Sequence, residues 1–209
     1  MSESRASLVF IVAAPSGAGK TSLVKALVED SDDLLTSISH TTRQPRPGEV
    51  DGEHYHFIAE DTYQIMVEQG DFLEHAIVHG NGYGSSRSEM QRAQSLGADL
   101  ILEIDWQGAR QAKAQIPSAR SVFILPPSRT ELAKRLRRRA QDSDEVIARR
   151  LDGAVEEMRH WDEFDYVVVN DQFEVALAQL RSIVSACRSA GQAQSQQLSP
   201  LLDDLLGRQ

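Results

Sequence analysis

The sequence has little of what marks a secreted or membrane-spanning protein. Cysteine occurs once in 209 residues, as Cys187, so an internal disulfide is excluded. No apolar run approaches the roughly 20 residues of a membrane-spanning helix, and the polar N-terminal residues MSESRAS do not resemble a signal peptide. We therefore expect a cytoplasmic protein without a membrane partner.

An excess of positive charge is also absent, because 31 acidic residues stand against 22 lysines and arginines and give a net charge of −9. This balance argues against a protein that coats nucleic acid, and we expect no nucleic-acid partner. Basic residues are nevertheless concentrated between positions 129 and 150, where eight of them stand against four acids. That local charge of +4 suits a polyphosphate, although a solvated helix face gives the same pattern.

The stretch LVFIVAAPSGAGKT, from Leu8 to Thr21, places an apolar run directly before a glycine-rich segment. The run is too short for an ordinary helix and indicates a strand buried on both faces. An amphipathic pattern then predicts a helix over residues 20–29. Strand, glycine-rich loop and helix are the context of a phosphate-binding loop, although Ala14 replaces the first glycine of the strict motif.

The residue types in this loop suit a nucleoside triphosphate. Gly17 and Gly19 would let backbone N–H groups approach the phosphates. Lys20 would reach the β- and γ-phosphates, and the Thr21 hydroxyl would ligate Mg²⁺, which is otherwise held through nucleotide and water. The alternative is a helix start with a chance Gly-Lys-Thr. The predicted ATP-binding segment is Ala14, Pro15, Ser16, Gly17, Ala18, Gly19, Lys20 and Thr21.

Two further segments carry charge where a nucleotide site needs it. The loop TTRQPRPGE places Arg43 and Arg46 three residues apart on a proline-stiffened chain, which suits a dianionic phosphate better than a structural role. The apolar run over residues 100–105 ends in Asp105, as expected of the second half of a nucleotide site.

Strand patterns alternate with helix patterns, so we predict an α/β fold in which helices cover both faces of a parallel sheet. Several local predictions accompany it. Residues 79–84 (HGNGYG) are predicted as a turn, and residues 166–169 as the last buried strand. Ser86 with Glu89, and Ser128 with Glu131, match capping boxes. Residues 188–209 are left open as a short helix, a partner contact or disorder.

Four blocks together closely resemble bacterial guanylate kinase, of the P-loop nucleoside monophosphate kinases: APSGAGKT, SHTTRQPRPGEVDGEHY, GNGYGSS and ILEIDWQG. The resemblance covers residues 5–187 and implies a P-loop NTPase fold. It divides the chain into a core (5–36, 93–128 and 160–187), a small mixed GMP-binding insert (37–92), a helical lid (129–159) and a C-terminal tail (188–209). The implied reaction belongs to purine nucleotide metabolism and moves the γ-phosphoryl group of ATP to GMP, giving ADP and GDP, with Mg²⁺ accompanying ATP.

The resemblance also implies roles for single residues. Glu49 would orient the arginine loop, and Asn170 would lie near the adenine of ATP. Independently of the resemblance, Glu103 is an acid inside a buried strand, and we expect it to face the GMP pocket or to pair with an arginine. The implied catalytic residues are Lys20, Arg43, Arg135, Arg139 and Arg150. The implied GMP-binding residues are Ser39, Arg43, Arg46, Glu49, Tyr55, Glu74, Tyr83, Ser85 and Asp105.

The chain departs from the family pattern in two places. Gly82 stands where the family often has a second aromatic residue, and we expect only a softer turn there. Arg138 and Ala140 flank Arg139 where glycines are common, which leaves the lid contact to either Arg138 or Arg139.

Two other functions remain as alternatives. A related P-loop kinase could accept AMP, dTMP or a phosphoribosyl bisphosphate, but the double-arginine loop and Glu74 count against these acceptors. A non-catalytic guanylate-kinase-like domain that binds peptides usually carries a degraded phosphate loop, which this chain does not. The sequence leaves a homo-oligomer open.

Overall fold

The computed structural model describes residues 7–139 and 144–207. Its strands are β1 (Val9–Ala13), β2 (Leu34–Thr36), β3 (His40–Thr41), β4 (His56–Phe57), β5 (Phe72–Val78), β6 (Asn81–Ser86), β7 (Asp99–Glu103), β8 (Arg120–Leu125) and β9 (Tyr166–Val169). Its helices are α1 (Lys20–Glu29), α2 (Glu60–Gln69), α3 (Arg87–Ser95), α4 (Trp106–Gln115), α5 (Arg129–Arg139), α6 (Asp144–Met158), α7 (Phe173–Ser189) and α8 (Gly191–Leu206). A short 3₁₀ turn, Trp161–Glu163, precedes β9.

The main sheet is parallel and has the strand order β2-β7-β1-β8-β9. β1 lies at its centre and is buried along its whole length, which explains its unbroken apolar sequence. Alternate residues of β1 pack into two different cores. Phe10 and Val12 meet apolar residues of α1 and α7, whereas Ile11 meets alanines of α3 and α4. The predicted parallel sheet with helices on both faces is confirmed.

A second, mixed sheet with the order β4-β3-β6-β5 lies between β2 and β7 in the chain. The predicted turn over residues 79–84 is wrong, because only His79 and Gly80 have positive φ and β6 begins at Asn81. Gly82 and Gly84 lie inside this strand. A Cβ at Gly82 would stand 2.7 Å from the Tyr63 ring, and one at Gly84 would stand 2.7 Å from the Phe72 ring. The expected softer turn at Gly82 is therefore replaced by a close aromatic contact.

Two smaller expectations also differ from the structure. β9 is an edge strand and not a buried one, since Val167 and Val169 are 38% and 47% exposed. Ser86 makes no capping bond to α3; its hydroxyl pairs with that of Ser88, and Glu89 accepts the Ile38 backbone N–H instead.

Half of the second capping box is present, because Ser128 Oγ accepts the Glu131 backbone N–H at 3.1 Å. The tail forms helix α8, which contacts α7 and leaves leucines exposed on its outer side. Within the described ranges, no helix is both long and apolar enough to cross a membrane.

Candidate active site

The phosphate loop connects β1 to α1 and depends on two glycines. Gly17 and Gly19 have φ of 90° and 93°, in the left-handed region that glycine tolerates best. Both also face close neighbours. A Cβ at Gly17 would lie 3.0 Å from Leu132 and Leu136 of α5, and one at Gly19 would lie 2.4 Å from the Asn170 side-chain nitrogen. The loop is therefore packed under α5 and against the end of β9.

Asn170 is buried beside this loop. Its side-chain Nδ2 donates to the Ala18 carbonyl oxygen at 2.8 Å, and its backbone carbonyl oxygen accepts from Arg135 Nη2 at 3.0 Å. The side chain thus holds the backbone of the phosphate loop, which sequence reasoning had not assigned to it. A contact with adenine stays a prediction.

Lys20 points into a buried, acidic environment at the start of α1. Its ammonium group donates to the Ile104 carbonyl oxygen at 3.1 Å. Burial lowers the pKa of Lys20, and the nearby carboxylates of Glu103 and Asp105 oppose that change. Four acidic side chains surround this ammonium group: Glu103, Asp105, Glu157 and Glu74. The positive charge of Lys20 is thus balanced by carboxylates.

Glu103 lies beside the phosphate loop and not against an arginine. Burial raises its pKa, while the charge of Lys20 and a hydrogen bond from the Thr21 hydroxyl lower it. The expectation that Glu103 faces the GMP pocket or pairs with an arginine is therefore replaced by contacts to Lys20 and Thr21. Its place in the strand ILEID gave no sign of which neighbour it meets.

Two of the predicted lid arginines reach the phosphate loop. Arg135 Nη1 lies 3.5 Å from the Ala18 carbonyl oxygen, and Arg150 Nη2 lies 3.3 Å from Ser16 Oγ. The side chain of Arg139, which shares the predicted lid contact with Arg138, lies outside the described residues. A cavity of about 280 Å³ follows the loop, and Glu157 of α6 is part of its lining. The sequence analysis had not singled out Glu157.

The arginine loop of the insert is held by Glu49. This carboxylate accepts from Arg43 Nη2 at 2.8 Å and from the Arg46 backbone N–H at 2.7 Å. The Arg43 bond is the first cause of a pKa of about 2 for Glu49. The guanidinium of Arg43 lies 5.4 Å from the centre of the Tyr55 ring, which is 6.1 Å from the Tyr83 ring. The predicted phosphate-binding side chains Arg43, Tyr55 and Tyr83 are thus close together, and Arg46 is exposed beside them.

Glu74 lies on strand β5 of the second sheet and is buried, with only 8% of its surface exposed. It stands opposite Ser85 in the β5–β6 ladder. Burial raises its pKa, and the buried hydroxyl of the neighbouring Ser85 has no hydrogen-bond partner among the described residues. Gly108 faces it from the first turn of α4, where a Cβ would come within 2.9 Å of Glu74 Oε2. The same Gly108 donates its backbone N–H to the capping carboxylate of Asp105 at 2.8 Å.

Glu74, Ser85 and Asp105 therefore meet around the start of α4, as expected of groups that share one pocket. Ser39 lies directly before β3, where its carbonyl oxygen accepts the His56 backbone N–H at 2.9 Å. Gly108 was part of the motif ILEIDWQG, but no spacing rule indicates that it touches Glu74.

A glycine-rich loop ending in a buried lysine, arginines from α5 and α6 that reach this loop, and an arginine loop on a small sheet together define a P-loop kinase. The family model for guanylate kinase matches residues 6–187. The chain belongs to the guanylate kinase family.

Individual proteins agree with this family. A guanylate kinase of Alkalilimnicola ehrlichii is 56% identical over 199 residues, which cover 95% of this chain and 98% of that protein. A guanylate kinase of Escherichia coli strain K12 is 52% identical over 200 residues, covering 95% and 97%. The crystal structure of guanylate kinase from Anaplasma phagocytophilum superimposes with a TM-score of 0.73 at 29% identity, covering 98% of each chain.

Proposed function

We propose that this protein transfers the γ-phosphoryl group of ATP to GMP, giving ADP and GDP. The observation that carries the choice of acceptor is Glu74, a carboxylate that is buried on strand β5 of the insert. The carboxylate of Glu74 suits a base, whereas the arginine loop suits a phosphate. Membership of the guanylate kinase family supports the same assignment.

Glu74 suits guanine because of the hydrogen-bonding groups on the edge of that base. Guanine presents N1–H and the N2 amino group side by side, and a carboxylate has two oxygens that accept from both. Adenine offers a bare N1 acceptor and no N2 amino group, so it would leave Glu74 buried and unpaired. A site of this kind can reject the wrong base by roughly 10⁴-fold.

The acceptor phosphate would be bound by the arginine loop. Arg43 is already oriented by Glu49 and by the Tyr55 ring, so its guanidinium needs little rearrangement to meet a dianion. Tyr83 adds a phenol next to it. We propose that Arg46, exposed on the same loop, turns toward the phosphate when GMP binds.

The transfer itself requires positioning and neutralisation of charge, because the GMP phosphate is already a nucleophile. Lys20 and the N–H groups of the phosphate loop would hold the β- and γ-phosphates. Arg135 and Arg150 already touch the loop backbone and Ser16, and we propose that they move onto the transferring group when ATP is present.

The residues around Thr21 fit a magnesium ion. The Thr21 hydroxyl and the Glu103 carboxylate are hydrogen-bonded neighbours beside Lys20, and oxygen donors of this kind are what Mg²⁺ prefers. When bound with ATP, the ion would neutralise charge on the β- and γ-phosphates.

We also propose that the protein is cytoplasmic, where its buried free thiol Cys187 would stay reduced.

The variant Glu74→Gln tests the acceptor assignment. It should lose far more kcat/KM for GMP than for AMP, narrowing the ratio by at least about tenfold, because one of the two acceptor oxygens becomes a donor. Both activities are measured on one folded preparation. An unchanged GMP:AMP ratio would show that Glu74 does not read the base and that Ser39, Ser85 or Asp105 does.

A further inference from the structure

A carboxylate of helix α6 lines the cavity beside the phosphate loop. Glu157, in the last turn of α6, lies next to the backbone N–H of Ser16. It lines the same cavity as the loop residues from Ala14 to Thr21. Lys20 and Asp105 are its charged neighbours. The first and largest influence on its pKa is burial, which raises it.

The groups that Glu157 engages are those that a nucleotide phosphate needs. Backbone N–H groups of the loop and the ammonium of Lys20 form the anion site. A carboxylate oxygen placed next to the Ser16 N–H competes with a phosphate oxygen for that donor. Glu157 and a bound phosphate would also repel each other, at a site where burial weakens solvent screening.

The position of Glu157 depends on the attachment of α6. About two turns earlier, Arg150 of the same helix reaches Ser16 Oγ at 3.3 Å. Just after the helix, His160 stacks on Trp106 with ring centres 3.6 Å apart. These two contacts lie on either side of Glu157 in the chain. Because they hold the C-terminal half of α6 in place, Glu157 is kept next to the phosphate loop.

We propose that Glu157 is a built-in competitor for the phosphate site, which occupies the loop when nucleotide is absent and must leave before a di- or triphosphate binds. This inference rests on the proposed function, since it assigns the loop to a nucleotide. Its displacement would release the last turn of α6, so that filling of the loop and repositioning of the lid arginines are coupled. The apparent affinity for nucleotide is lowered by the fraction of molecules in which Glu157 is bound.

The test is the affinity for ADP, measured by calorimetry on the full chain, with Mg²⁺ and again with EDTA. Glu157→Gln keeps the shape of the side chain and an oxygen that can accept the Ser16 N–H, but it removes the charge. We expect ADP to bind about tenfold more tightly to this variant in both conditions, because the competing contact loses its charge-assisted component.

Glu156→Gln is the matched control. Glu156 precedes Glu157 on α6, carries the same charge, is 69% exposed and pairs with Arg159. Its variant should bind ADP as the wild type does. Glu157→Asp, which retains the charge but withdraws it by one methylene, should give an intermediate tightening and supports the test if Glu157→Gln folds poorly.

Two results would overturn the proposal. If Glu157→Gln binds ADP more weakly than the wild type with Mg²⁺ but not with EDTA, Glu157 helps to hold the metal ion. If Glu157→Gln binds ADP with the same affinity as Glu156→Gln, Glu157 does not compete with the nucleotide. Titration of the same preparations with GMP keeps the proposed function separate, because that site does not involve Glu157. Absence of GMP binding by the wild type would contradict the proposed function and not the competitor.

Discussion

Gly108→Ala is a small change whose effect the structure allows to be worked out. The new Cβ would lie 2.9 Å from Glu74 Oε2, 3.3 Å from Glu74 Cδ and 3.3 Å from Ile104 Cβ. Ordinary contact begins at 3.4 Å, so the carboxylate oxygen must retreat by about 0.5 Å. The backbone of Gly108 is helical, and its N–H can still cap Asp105. The substitution therefore acts on Glu74 and not on the helix.

The expected magnitudes separate binding from stability. A hydrogen bond to a charged group contributes about 1.5–3 kcal/mol, so misplacing one of the two proposed bonds to guanine should lower kcat/KM for GMP by about tenfold or more. KM for ATP should stay within about twofold. Alanine in place of glycine favours a helix by about 1 kcal/mol, which offsets the crowding, because the atom in the way is the free end of a side chain.

The assay compares steady-state kinetics with GMP and ATP and thermal unfolding of the same samples. Gly153→Ala is the control, because Gly153 lies within α6 and a Cβ there would have no neighbour within 4 Å. It should gain stability without changing kcat/KM for GMP. If Gly108→Ala leaves the kinetics with GMP intact, the contact between α4 and Glu74 does not position the base.

Three further predictions concern the phosphate loop, the lid and the arginine loop. Lys20→Met should lower turnover at least about a hundredfold with the fold retained, because a preorganised charge on the transferring phosphate is lost; turnover within a few-fold of wild type would contradict its role. Hydrogen exchange in α5 and α6 should slow when a bisubstrate analogue binds, and an unchanged profile with the analogue bound would reject lid closure. The pKa of Glu49, lowered to about 2 from 4.5 by Arg43, means that its stabilising effect is complete above pH 4.5 and is lost as the pH falls toward 2. The difference in free energy of unfolding between wild type and Glu49→Gln, measured by urea titration, should therefore be constant above pH 4.5 and shrink below it; a difference that grows on acidification would refute this.

The parts of the fold that depend on local pattern could be predicted from the sequence. Helix α1 begins and ends at the predicted residues, because glycine precedes it and its buried residues Leu23, Val24 and Leu27 share one face. β6 could not be predicted, since Gly82 and Gly84 are typical of a turn. They occur in a strand because the Tyr63 and Phe72 rings pack on them, and that contact joins residues far apart in the chain.

The same division applies to the site. Lys20 and Arg43 belong to segments whose residue types and spacing already indicate phosphate binding, whereas the role of Glu74 is implied only by the resemblance to guanylate kinase. Glu157 and Gly108 gave no comparable signal, because each acts on a partner that only the tertiary fold brings near: Ser16 in one case and Glu74 in the other. Residues of this kind require the structure to be found.

The most direct test of the whole account is release of ADP from ATP with GMP, AMP, dTMP or no acceptor, at equal enzyme concentration and with product identified. The account predicts rapid ADP release with stoichiometric GDP for GMP alone, and a preference over AMP of roughly 10⁴-fold. Comparable rates with AMP or dTMP, or ADP release that is independent of acceptor, would contradict it.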